Sequence, residues 1–262
     1  MKSINMHRFL MMSLALGLMA CDLVTPSPTI APPLTPPAQT QVPLSAQVTL
    51  SFVSFKEESQ SPTYSINAQI PKLIGSEDAR VRALNKQVND LIQQEIEYFR
   101  ENIIRHMPLT PLSNGSFFEA QYTLVFQSGD LWSFKFNFTG YADGAAHPYH
   151  YSTTLNYDLE QGGKLSFDQL FLPDANYLEV ISSYCIAELS KRDIGFYAGF
   201  EQGAEPIAEN YRNWNISNEG LMITFDEYQV APYAAGPQIV IVPYPVLAKV
   251  VDPQGPLGRF IR

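Results

Sequence analysis

The sequence predicts an α+β fold: a mostly antiparallel sheet with two main helices packed on one face. Two observations carry this. Segments of alternating polar and apolar residues are separated by hairpin-type turns, and two well-separated stretches show helical periodicity instead. A third sets the scale. About 200 residues follow a Pro-rich stretch, and with 45% hydrophobic and 12% aromatic residues they hold enough apolar surface for a core.

Val48 to Phe55 alternates and reads as a strand. Tyr64 to Ile70 reads as a second, stopped by Pro71. Ser76 is placed to cap a helix whose first turn holds Glu77 and Asp78. Val81, Leu84, Val88, Leu91, Ile92, Ile96, Phe99 and Ile103 then recur at helical spacing, with Asn85, Lys86, Asn89, Asp90, Gln93 and Glu97 on the other face. That helix should end before Pro108. Phe117–Phe126 and Leu131–Tyr141 flank Gln127-Ser128-Gly129-Asp130, a hairpin signal. In the second of these strands Trp132, Phe134, Phe136 and Phe138 alternate with Ser133, Lys135, Asn137 and Thr139, the pattern of a half-buried strand. Tyr149–Leu159 follows as a strand, and a second helix covers about Ala175–Arg192. Trp214–Ser217 and Leu221–Phe225 form a hairpin, and Ile239–Val242 is a last strand. Residues 252–262 read as a loose C-terminal tail around a domain of residues 46–251.

The first 20 residues have the order of an export signal. Lys2, His7 and Arg8 precede an uncharged apolar run, Phe9 to Ala20. The run is too short for a spanning helix, which needs about 20 apolar residues. Leu18-Met19-Ala20-Cys21 closes it as a lipobox, with a small residue before the cysteine. Cys21 is therefore the expected lipid attachment, and the chain is expected to be extracytoplasmic, anchored to the bacterial cell membrane. Residues 21–45 contain seven prolines and one charge, Asp22. Such a segment cannot bury enough surface to fold and should act as a semi-rigid tether reaching on the order of 60 Å.

Without Lys2 and Arg8 the remaining 15 basic residues face 26 acidic ones, a formal charge of −11. This argues against nucleic acid as a partner and favours cationic ones. Cys185 is the only cysteine besides Cys21, so no intrachain disulfide is expected once Cys21 is lipidated. Its neighbours Ile181, Tyr184, Ile186 and Leu189 place it on a buried helix face.

No nucleophile elbow, phosphate loop or dinucleotide fingerprint occurs, and no catalytic residue and no cofactor is assigned. Thr224-Phe225-Asp226-Glu227 matches only part of a deacetylase metal motif and reads as an accidental strand end. Asp143, His147 and His150 make a weak metal set, because His-x-x-His on a strand points its rings to opposite faces. The expected metal set is none, with His147 hydrogen-bonding backbone inside its loop. Tyr141, Asp143, His147, Tyr149 and Tyr151 cluster around that loop and are the candidate partner-binding residues.

Several stretches resemble one known family. They are Ile70-Pro71 with Gly75 and Leu84-Asn85, the loop Tyr141 to Pro148, the segments Thr154–Leu159 and Gly163–Phe171, and Glu227–Pro237 with Val242-Pro243-Tyr244. Together they resemble the extracellular domain of RsiV-type lysozyme-binding anti-sigma factors, a domain also found in bacterial lipoproteins and in part before the catalytic domain of PdaC-type peptidoglycan deacetylases. The likeness runs over about residues 64 to 250. It implies an α+β fold and a habit of binding a lysozyme-like or other wall-active protein, or wall glycan. Those anti-sigma factors also have a transmembrane helix and a cytoplasmic region, whereas a lipid anchor alone would leave nothing to touch a sigma factor. Two other readings stay open: an enzyme acting on cell-wall polysaccharide, and a structural or assembly lipoprotein.

Replacing Cys21 with Ser should abolish lipid-dependent processing and give an uncleaved or secreted species. A Cys21→Ser protein that still partitions into detergent like its parent, with unchanged mass, would defeat the anchor.

Overall fold

The computed structural model describes residues 42–107, 109–112, 114–193 and 199–261. The expected signal segment, Cys21 and the tether up to residue 41 lie outside the described residues. The α+β class, the mostly antiparallel pairing and the two main helices are all present. The strands divide into two sheets, and each helix lies against one of them.

The larger sheet runs β1 (Thr49–Gln60), β2 (Thr63–Ile74), β3 (Ser116–Ser128), β4 (Leu131–Tyr141), β5 (Tyr149–Asp158) and β6 (Gly163–Lys164), in that spatial order. Every pairing is antiparallel except β2 with β3, which run parallel over Tyr64–Ala68 and Ser116–Ala120. Parallel neighbours need a long crossover, and helix α1 (Ala79–Asn102) supplies it.

Of the helical stripe read from the sequence, Val81, Leu84, Val88, Ile92, Ile96 and Phe99 are buried, while Leu91 is half-buried and Ile103 lies just past the helix end. It packs on Ile66, Phe118, Phe134, Phe136 and Phe138 of the sheet. Phe99 stacks on Phe118 at 5.5 Å, and Phe118 on Phe138 at 6.0 Å. The start of α1 differs from expectation. Asp78, not Ser76, is the N-cap, accepting from the Arg80 backbone N–H at 2.8 Å. A charged acceptor suits the positive helix end better than a hydroxyl. The Arg80 side chain beside it holds the Asp78 carboxyl down to about 2. Asn85 also departs from its expected solvent face. Its amide accepts from Leu73 N–H and donates to Leu73 O, both at 2.8 Å, and ties the helix to β2.

Pro71 does not stop β2; it is buried within the strand, opposite Phe52 of β1. Beyond Ala68, β2 has no partner on its β3 side, so a missing N–H there breaks no ladder.

The smaller sheet is β7 (Trp214–Ile216), β8 (Gly220–Phe225) and β9 (Gln238–Pro243), all antiparallel. Helix α2 (Tyr177–Leu189) covers it, burying Ile181, Cys185 and Leu189 with Ile223, Phe225, Val240 and Val242. The chain after Asp252 is not loose. Leu257 is fully buried, and Phe260 stacks on Tyr244 at 4.5 Å with the planes 3° apart. Gly258 permits this seat, because a Cβ there would lie 2.0 Å from Pro253 O.

The two sheets meet across the face of β4 and β5 that turns away from α1. Ser133, Lys135, Ser152, Thr154 and Asn156 are buried on that face. Ser133 Oγ donates to Asn156 Oδ1 at 2.6 Å, and Asn156 Nδ2 donates to Trp214 O at 2.8 Å. Asn215 Nδ2 donates to Ser133 Oγ and to Phe134 O, both at 2.9 Å. Asp226 accepts from Ser152 N–H at 3.0 Å, from Ser152 Oγ at 2.5 Å and from Asn213 Nδ2 at 2.9 Å. The alternation in β4 is thus real, but its polar half faces a second sheet rather than water.

Asn156→Ala would orphan Trp214 O, the Ile216 N–H that donates to Asn156 Oδ1 at 3.2 Å, and the Ser133 hydroxyl. Each buried unpaired group costs about 1–3 kcal/mol, so urea denaturation should show a loss above about 2 kcal/mol. Asn137→Ala, on an exposed residue of the same strand face, should stay within about 0.5 kcal/mol. Equal effects at the two positions would refute the buried seam.

Candidate binding cleft

Tyr141, Asp143, His147, Tyr149 and Tyr151 do not form one site. Strand alternation separates Tyr141 from Tyr149 and Tyr151, and Asp143 and His147 lie in the loop between β4 and β5. On β5, Tyr149 and Tyr151 point to the α1 side, and His150 and Ser152 point to the other.

Tyr141 ends β4. Its ring stacks on Phe117 at 5.8 Å, and its hydroxyl donates to Ala145 O at 3.1 Å. His147 Nδ1 lies 2.8 Å from Pro148 O, which selects the Nδ1–H tautomer, and its ring sits 4.1 Å from that of Tyr233. Tyr233 donates its hydroxyl to the same Pro148 O at 2.9 Å. Tyr141 and His147 share the wall of a cavity of about 470 Å³ with Phe117, Tyr64 and Pro148. Asp143 lines neither cavity wall. Its N–H donates to Ser116 Oγ at 2.8 Å and its carboxylate accepts from Leu112 N–H at 2.5 Å, so it ties loops together.

Tyr149 and Tyr151 line a second, more aromatic cleft of about 620 Å³ with Glu95, Tyr98 and Ile103. Each side chain has a structural reason to be there. Gly140 lies opposite Tyr149, and a Cβ on it would come within 2.2 Å of the Tyr149 ring, so glycine makes the seat. The Tyr149 and Tyr151 rings stack at 6.2 Å with planes 18° apart. Tyr151 also packs on Phe138 at 5.0 Å. Its hydroxyl donates to Glu95 Oε2. Burial, then the Glu95 carboxylate, push the Tyr151 phenol well above its ordinary range. Burial, with Tyr98 and Glu95 nearby, pushes Tyr149 up to about 12. Both phenols are therefore neutral donors at physiological pH, facing one carboxylate. Tyr98 stands 58% exposed at the rim.

Glu95 and Tyr98 were not legible as site residues in the sequence. Their i,i+3 spacing on the flank of the apolar stripe is the only local signal. Nothing along the chain joins residues 95–103 to 149–151.

On the opposite face, His150 Nδ1 lies 3.0 Å from Glu227 Oε1, whose side chain is only 8% exposed. The nitrogen nonetheless has no aligned hydrogen bond, so the contact is one of proximity rather than a formed donor–acceptor pair. His150 and His147 both flank Tyr233, at 6.0 Å and 4.1 Å between rings. Among the described residues no three His, Cys, Asp or Glu side chains are grouped to share a metal ion. Asp226, at the end of β8, is occupied by the inter-sheet hydrogen bonds. The Cys185 thiol is buried and pushed up to about 12 by that burial, so it carries no thiolate at physiological pH.

Comparison with known proteins finds one family match and several relatives. Residues 168–245, which run from the end of the larger sheet through α2 and all of the smaller sheet, match the family described as a protein of unknown function, DUF3298. The peptidoglycan-N-acetylmuramic acid deacetylase PdaC of Bacillus subtilis is 26% identical over 193 residues, covering 73% of this chain and 39% of that protein. Immunogenic protein MPT64 of Mycobacterium tuberculosis is 29% identical over 100 residues, covering 38% of this chain and 43% of that protein. The chain thus spans about two fifths of the curated relatives it matches. A crystal structure of a DUF3298 family member from Bacteroides fragilis superposes with a TM-score of 0.60 at 15% identity, over 82% of this chain and 97% of that one. That likeness establishes the fold. No helix among the described residues is long and apolar enough to cross a membrane.

Proposed function

We propose that this chain is a membrane-anchored extracytoplasmic lipoprotein, lipidated on Cys21, whose folded domain binds rather than cuts. Its ligand is a lysozyme-like or other wall-active protein, or cell-wall glycan. The observation that carries the reading is the open cleft of Tyr98, Tyr149, Tyr151, Glu95 and Ile103. It presents aromatic surface around a single carboxylate, the composition of an interaction anchor.

Three further points support it. The relative PdaC is by name an enzyme of peptidoglycan. The chain resembles lysozyme-binding RsiV-type domains over about residues 64 to 250. The formal charge of −11 beyond the signal segment would speed encounter with a basic protein. Charge alone gives weak, salt-sensitive attraction, because exposed ions are screened beyond about 8 Å at physiological salt. A built apolar anchor is what converts encounter into specific binding.

Calorimetry of the purified protein against lysozyme and native wall hydrolases, at low and physiological salt, checks this. Binding to at least one of them should persist at physiological salt. Heat that vanishes entirely there would leave only charge attraction, and turnover of peptidoglycan by the purified protein would reject the non-catalytic reading.

A further inference from the structure

We infer that the cleft between α1 and β5 takes one cationic side chain of a partner, an ammonium or guanidinium group, with Glu95 as its counter-charge and Tyr98 and Tyr149 as its walls. This rests on the binding reading above and narrows its two ligand classes to one.

The argument starts with the charges of α1. The helix carries four acids: Asp90, Glu95, Glu97 and Glu101. Asp90 pairs with Lys86, Glu97 with Arg100 and Glu101 with Arg105. Glu95 alone among them has no basic partner among the described residues. It accepts instead from the neutral hydroxyl of Tyr151. A surface helix usually neutralises its carboxylates with neighbours at i±3 or i±4. Here those positions hold Leu91, Ile92, Tyr98 and Phe99, none of them basic. The carboxylate is therefore oriented by a phenol and left uncompensated within a wall of rings.

The walls favour a cation over a sugar. Aromatic faces attract ammonium and guanidinium groups through the ring quadrupole, and the attraction grows as the cation is desolvated. Tyr149 is held rigid by the Gly140 seat and by stacking on Tyr151, so little ordering remains for it on binding. A pyranose needs several donors and acceptors at fixed positions around an aromatic platform. This lining offers one carboxylate, phenol hydroxyls and the apolar Ile103, with no amide or aliphatic hydroxyl. An aliphatic stem against Ile103 and Tyr98, with its charged head at Glu95, uses every group present.

NMR titration of the purified protein tests this without knowing the partner. The probes are n-butylguanidinium and n-butylammonium, with n-butanol as the neutral counterpart and chitotriose as the glycan. The cations should shift Tyr98 and Tyr149 resonances saturably, and the two neutral probes should not. Glu95→Gln keeps an acceptor for the Tyr151 hydroxyl and should weaken the cations at least tenfold, with the spectrum otherwise unchanged. Tyr98→Ala, at an exposed position, should weaken them severalfold. Equal binding of butanol, preferential binding of chitotriose, or indifference to Glu95→Gln would each overturn the inference. A wall protein that binds Glu95→Gln as tightly as the parent would overturn it too, while leaving the binding function standing.

Discussion

The polar seam between the sheets is the constraint on which the rest of the structure depends. Ser133, Asn156 and Asn215 join β4 and β5 to β7, while Ser152 and Asn213 converge on Asp226 beside them. In a buried setting such a network is valuable only when its members are matched, and a shift of either sheet by one residue would orphan several groups at once. The seam thereby sets which face of the larger sheet receives the smaller one. The opposite face is left for the aromatic residues of β4 and the apolar stripe of α1. The cleft follows from that division, since Tyr149 and Tyr151 are on the α1 side only because Ser152 and Asn156 are on the other.

Local order was largely legible in the sequence. The helical stripe of α1, the β3–β4 hairpin and the alternation of β4 all rest on periodicity, and periodicity is a property of contiguous residues. What stayed hidden was the partner of each face. Ser133 and Lys135 have the composition of a wetted face and are buried on the side that receives the smaller sheet. Pro71 reads as a stop and is tolerated because β3 does not reach it. Residues after Asp252 look loose until Phe260 finds Tyr244 and Phe126 in space.

The candidate site shows the same limit more sharply. Five residues near one loop were grouped by sequence proximity, but alternation puts Tyr141 on one side of the sheet and Tyr149 and Tyr151 on the other. Tyr149 and Tyr151 share one cleft. Their partners Glu95 and Tyr98 come from a helix some fifty residues earlier, joined only by the parallel crossover that brings α1 over the sheet. The family match at residues 168–245 covers the lobe on the other side of the seam. A relative that shares only that lobe therefore carries no information about this cleft, whereas one related over both lobes does.

The central claim is that partners are engaged from the α1 side. Hydrogen exchange with and without lysozyme at physiological salt tests it directly. The account expects slowed exchange over residues 95–103 and 149–151, with the loop of residues 141–148 and the segment of residues 228–237 unchanged. Protection confined to those two latter segments, with the cleft exchanging as in the free protein, would contradict it.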